Sequence, residues 1–109
     1  MARFRQEKRI EVNVCKAALL DLRIANIPLK LHLGTQNGWP DRLFLLGHGA
    51  VLFIEFKDPY KGELEPLQIR NHEMLRSLGY NVQVHDNKVD ALEAITRAKL
   101  EAAQLSEES

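Results

Sequence analysis

An α/β domain is predicted, a mixed β-sheet flanked by helices in the order α-β-β-β-α-β-α. Three observations carry that expectation. Apolar residues recur at helical spacing near both ends and after residue 66. Segments between them alternate apolar with polar residues, as half-buried strands do. Glycines and prolines punctuate the joins. At 109 residues, the chain matches one domain spanning 1–109.

In chain order, residues from about 4 to 26 read as a helix, because Ile10, Val14, Ala17, Ala18 and Leu22 fall on one face. Pro28 marks its end. Leu29–Gly34 alternates Leu29, Leu31 and Leu33 with Lys30 and His32, a strand pattern, and Thr35–Pro40 is a loop. Asp41–Leu46 and Ala50–Lys57 are apolar runs joined by Gly47-His48-Gly49, so they should pair as a hairpin. After a loop at Asp58–Glu65, Pro66 suits the first position of a helix. Its apolar face would be Leu67, Met74, Leu75 and Leu78, and Gly79 would stop it. Tyr80–His85 alternates again as a strand. Val89–Leu105 forms the last helix, with Leu92, Ile95 and Leu100 on one side, and Ser106–Ser109 should fray.

Composition removes several classes of function. With 45% apolar and 28% charged residues the chain can bury a core, which excludes disorder. The longest apolar runs, Ala17–Leu20 and Ala50–Ile54, fall far short of the ~20 residues of a membrane helix. The charged opening Met-Ala-Arg-Phe-Arg-Gln has no apolar h-region, so no secretion signal is expected. A single cysteine, Cys15, precludes an internal disulfide and fits a reducing cytoplasm. Its apolar helical neighbours mark it as a small core residue. No G-x-x-x-x-G-K-[ST] loop is present for ATP, and Ser77 lacks the G-x-S-x-G context of acyl hydrolases.

Fifteen basic residues balance fifteen acidic ones, and a neutral total argues against nucleic-acid binding. The zero is a cancellation, however. Residues 1–30 carry net +4, residues 31–85 net −1 and residues 86–109 net −3. The basic start is either a solvated face or a region that contacts phosphates.

The hairpin places the chemistry. With the turn centred on His48, paired residue numbers sum to 96. Asp41 then lies opposite Glu55, Leu43 opposite Phe53, and Leu45 opposite Val51. Side chains alternate along strands, so Glu55, Lys57 and Asp41 share a face. Like charges directly opposed at ~5 Å are destabilising, and a divalent cation such as Mg²⁺ or Mn²⁺ removes that conflict. Lys57 then either assists the attack of water on a phosphodiester or simply pairs with an acid at a strand end. In the helix that precedes the hairpin, Glu7 and Glu11 lie four apart on one face, and either could lean toward the pair.

Taken together, Gly38-Trp39-Pro40-Asp41-Arg42, Phe53-Ile54-Glu55-Phe56-Lys57, Gln68, Leu75-Arg76-Ser77-Leu78-Gly79 and Tyr80–Val84 resemble the VRR-NUC (virus-type replication-repair nuclease) domain of the PD-(D/E)XK superfamily. The resemblance covers about residues 5–96 and implies a restriction-endonuclease-like fold. It implies that Asp41 and Glu55 ligate Mg²⁺ (or Mn²⁺), with the backbone carbonyl of Phe56 and the helical glutamate, taken as Glu11 with Glu7 in reserve. Lys57 would position or activate water, and Gln68 would lie beside the site. Trp39 stands where many members carry a smaller aliphatic residue. Small single-domain members are commonly phage or prophage proteins that cut branched DNA, such as four-way junctions, as homodimers. A cytoplasmic, Mg²⁺-dependent endonuclease in a bacterial host is therefore expected, with no nucleotide cofactor and no membrane. A flap- or end-directed nuclease and a non-catalytic binding module are the alternatives.

Setting aside Glu11, Asp41 and Glu55, the remaining fifteen basic and twelve acidic residues leave net +3. Arg3, Arg5, Lys8 and Arg9 become candidate DNA contacts, with Trp39, Arg42 and Lys61. His72, one turn after Gln68, reads as a partly buried surface histidine rather than a catalytic group, and His32 and His48 lack metal-ligand partners.

Overall fold

The period-two alternation of the central hairpin fixes which faces are buried. The structure is a computed structural model that describes the backbone of residues 2–20, 27–30, 38–60 and 62–108, and the side chains of 6–19, 38–60 and 62–108. Its elements are α1 (Ala2–Leu20), β1 (Ile27–Lys30), β2 (Arg42–Gly47), β3 (Ala50–Phe56), α2 (Pro66–Ser77), β4 (Asn81–His85) and α3 (Lys88–Glu108). The strands form one mixed sheet ordered β1-β2-β3-β4. β1, β2 and β3 pair antiparallel, and β4 joins β3 in parallel through the α2 crossover. The expected class and element order are those observed.

Phe44 and Leu46 of β2 and Leu52, Ile54 and Phe56 of β3 turn to one face and are wholly buried there. Against them pack Val14, Cys15 and Ala18 of α1 and Ala91, Ile95 and Ala98 of α3. Burying a side chain such as Phe44 or Ile54 contributes ~1.5–3 kcal/mol each. The alanines let both helices approach the sheet and each other closely.

The hairpin register is the one expected, with Leu43 opposite Phe53 and Leu45 opposite Val51. Its turn is tighter than three residues. His48 (φ 53) and Gly49 (φ 76) form a two-residue turn, Gly47 pairs with Ala50, and a bulge between Leu45 and Gly47 restores the register.

Several boundaries and faces differ from expectation. The first helix starts at Ala2; its expected stretch over residues 21–26 lies outside the described residues, as does the expected strand from 31 onward. Pro28 lies within β1 instead of ending a helix. It is tolerated because β1 is an edge strand, where one side of the ladder needs no N–H. In α2 only Leu75 of the expected apolar face is buried; Leu67, Met74 and Leu78 are exposed, and Asn71 and His72 turn inward. In α3 the inner face is Ala91, Ile95 and Ala98, whereas Leu100 is exposed and Leu92 only packs at the margin. α3 extends past Leu105 to Glu108. Among the described residues no helix is long and apolar enough to cross a membrane.

Candidate active site

Opposite the core face, β3 presents Val51, Phe53 and Glu55, with Lys57 just past its end, and the end of this row is where the charged groups gather. The β2–β3 ladder ends at Arg42 opposite Ile54, so Asp41 sits one residue beyond it. Its Oδ2 accepts the backbone N–H of Phe56 at 2.8 Å, which pins the carboxylate against β3. Gly38, three residues earlier at φ 85, lets this loop reach α2. A Cβ there would stand 2.8 Å from Leu67 and 2.9 Å from Asn71, so no side chain fits without displacing the helix.

Glu7, Asp41 and Glu55 each bring a carboxylate oxygen into one group, all within 4.8 Å of one another. Glu11, the expected third acid, is turned elsewhere. The Arg42 Nε donates to its Oε2 at 2.7 Å, and Lys8 Nζ lies 3.6 Å from Oε1. Buried Glu11 is thus already neutralised, while Glu7, one turn earlier, faces Asp41. Arg42, expected as a DNA contact, is committed to the same ion pair and largely buried. Glu7→Gln is therefore expected to weaken Mn²⁺ binding about 10–100-fold, and Glu11→Gln to change it by less than about 3-fold, as read by titration calorimetry.

Gln68 ties the lysine to the acid. As the third residue of α2, its Oε1 accepts the Glu65 backbone N–H at 2.9 Å and the Lys57 ammonium at 3.0 Å. Its Nε2 donates to Glu55 Oε2 at 3.0 Å. Both lone pairs of the amide oxygen are used, so the amide cannot flip without losing contacts on both sides. Lys57 Nζ lies 3.7 Å from the same Glu55 oxygen. Gln68→Ala is expected to lower cleavage about 10–100-fold with little change in melting temperature, because it frees both Lys57 and Glu55.

The electrostatics follow from burial. Glu55, 3% exposed, has its pKa pushed up to about 8, first by desolvation and then by the charge of Asp41. Desolvation also raises Asp41 and Glu7; the charge of Glu11 adds to the rise at Asp41, and the charge of Asp41 adds to the rise at Glu7. The Glu55 Oε1 is buried and without a hydrogen-bond partner among the described residues. Three crowded carboxylates, one with an orphaned oxygen, form a hard oxygen donor set suited to Mg²⁺ or Mn²⁺.

Two buried groups were missed. His72, read as a surface residue, is fully buried, with Nε2 3.9 Å from Glu55 Oε1; desolvation, Arg76 and Lys57 lower its pKa. Asp58 is buried, with Oδ1 accepting the Tyr60 N–H at 2.8 Å in a turn that the Asp58-Pro59 pair could have signalled. Cys15 is a core residue, as expected, and burial raises its thiol pKa. Of the candidate DNA contacts, Lys8 and Arg9 are exposed on α1 and Trp39 is half-buried near Asp41. The side chains of Arg3 and Arg5, and all of Lys61, lie outside the described residues.

No family model matches the chain. It is similar to the "Putative nuclease p44" of Acyrthosiphon pisum secondary endosymbiont phage 1. That likeness is 39% identity over 67 residues, 61% of this chain and 70% of that protein. Its fold superposes on a solved structure described as a "VRR_NUC domain" with a TM-score of 0.68 and 25% identity, covering 84% of this chain and 91% of the other. Sequence relative and fold agree, and the chain belongs to the VRR-NUC family.

Proposed function

We propose that this protein is a metal-dependent endonuclease that hydrolyses phosphodiester bonds in branched DNA, such as four-way junctions. The observation that carries the reading is the Glu7–Asp41–Glu55 cluster with Lys57 held beside it through Gln68. Asp41, Glu55 and Glu7 would hold Mg²⁺ or Mn²⁺. Within an extended strand a residue's N–H and C=O point the same way, so the Phe56 carbonyl also faces Asp41 and would join them. When bound, the cation would supply positive charge against the phosphoryl oxygens and lower the pKa of the attacking water. Lys57 contributes a donor in a nearly desolvated setting, where an ammonium aimed at developing negative charge counts most. Gln68 orients that ammonium.

The exposed Lys8 and Arg9, with Arg3 and Arg5 on the same helix, would contact backbone phosphates, aided by Trp39 and Lys61. A homodimer suits the substrate, because symmetric resolution of a junction needs two cuts and one chain carries one site. The place of action would be the cytoplasm of a bacterial host, consistent with the phage origin of the p44 protein.

The test uses labelled four-way junction, flap and linear duplex, each with Mg²⁺, Mn²⁺ or EDTA. Junction cleavage that needs the cation is the expected result. Cleavage that persists in EDTA would overturn the metal mechanism. Preferential cutting of the flap would replace the junction as substrate. Binding without cleavage in every metal would point to a DNA-binding module.

A further inference from the structure

α2 turns a polar face toward the site where the sequence pattern suggests an apolar one. Gln68 and His72 are four residues apart on this helix and therefore project from the same side, one turn apart. Gln68 Nε2 donates to Glu55 Oε2 at 3.0 Å. His72 Nε2 lies 3.9 Å from the other oxygen, Oε1. The two residues thus address the two oxygens of one carboxylate.

We propose that His72 is a positioning residue, the second arm of a clamp by which α2 fixes the orientation of Glu55 for cation binding. This rests on the metal-dependent reading given above. The imidazole is fully buried, and neither ring nitrogen has a hydrogen-bond partner among the described residues; the same holds for Glu55 Oε1. Leaving a buried polar group unpaired costs ~1–3 kcal/mol, so an aliphatic side chain would serve packing better at this position. Unpaired groups of complementary type therefore face each other across a gap about 1 Å longer than a hydrogen bond. A small rotation of either side chain closes it. With Gln68 on Oε2 and His72 on Oε1, the Glu55 carboxylate loses its rotational freedom before a cation arrives, and less ordering remains to oppose binding.

His72 also reaches the site from a direction that the acids do not. Glu7 comes from α1, Asp41 from the residue just before β2 and Lys57 from the residue just after β3. Among the three acids as described, Glu55 is the one that α2 contacts, through both Gln68 and His72. Docking of this helix on the sheet is thereby linked to the geometry of one ligand.

The experiment compares His72→Gln with His72→Met in the full chain. The two side chains have similar length and flexibility, but only glutamine carries a donor. Mn²⁺ affinity is measured by titration calorimetry without DNA, and melting temperature is measured in metal-free buffer. The expected result is a Mn²⁺ affinity about 10–100-fold weaker in His72→Met, restored to within about 3-fold of wild type in His72→Gln, with both variants folded. Equal weakening in both variants would assign His72 to packing and overturn the proposal, and so would wild-type affinity in His72→Met. If the wild-type protein itself binds no Mn²⁺, the metal-dependent reading fails, a result distinct from any difference between the variants.

Discussion

Asp41→Asn is expected to abolish cleavage and stabilise the metal-free protein at once. The asparagine oxygen can still accept the Phe56 N–H, so the loop before β2 keeps its anchor. What disappears is one negative charge in a group whose carboxylate oxygens lie within 4.8 Å of one another. Two anions about 5 Å apart at an effective dielectric of about 20 repel by roughly 3 kcal/mol. That repulsion is fully developed only above pH 8, because Glu55 stays protonated below about 8. Scanning calorimetry above this pH, in EDTA, should show Asp41→Asn melting more than about 5 °C above wild type. Cleavage of the junction with Mg²⁺ should fall on the order of 10³-fold. An unchanged or lower melting temperature would count against the crowded carboxylates, whatever the activity.

Raising the pH of the metal-free protein from about 6.5 to 8 is expected to lower its stability. In the unfolded chain Glu55 titrates at its ordinary 4.5, whereas in the fold it holds its proton to about 8. Between these values the folded state binds more protons, so stability falls as pH rises. His72 and His85, whose pKa values are lowered by burial, act in the opposite sense, but only below their ordinary 6.5. Above 6.5 the acidic group dominates. Each pH unit can cost up to about 1.4 kcal/mol per group, so a drop of roughly 5 °C across the window is expected. Saturating Mn²⁺ should cancel the slope, because it binds the ionised cluster. A melting temperature flat from 6.5 to 8 in EDTA would remove the basis for the raised Glu55.

The hairpin was legible because its information is local. Gly47 and Gly49 bracket the turn, and period-two alternation leaves one register that buries Leu52, Ile54 and Phe56 together. Glu55, Lys57 and Asp41 follow from that register alone. Glu7 and Glu11 could not be separated in the same way. They occupy one face of α1, and the choice turns on Arg42, 31 residues further on, which captures Glu11. The inward face of α2 was misread for a related reason. Leu67, Met74 and Leu78 follow helical spacing, yet this helix covers the charged end of the sheet, where Asn71 and His72 are needed more than leucines. In α3, residues as small as Ala91 and Ala98 are the buried contact because the helix lies close to β2. Leu92 and Leu100 flank that contact, and apolar periodicity weights them above the alanines.

The parallel pairing of β3 with β4 has a consequence for the timing of synthesis. The backbone N–H of Lys57 is held by the carbonyl of His85 at 3.0 Å, and Glu55 pairs across to Val84. The strand end that carries both groups has no neighbour on that side until His85 has left the ribosome. Glu7, Asp41, Glu55 and Gln68 are all translated earlier, yet the lysine between them stays untethered at its backbone. The backbone contact that seats Lys57 is therefore the last of these to become available as the chain is made.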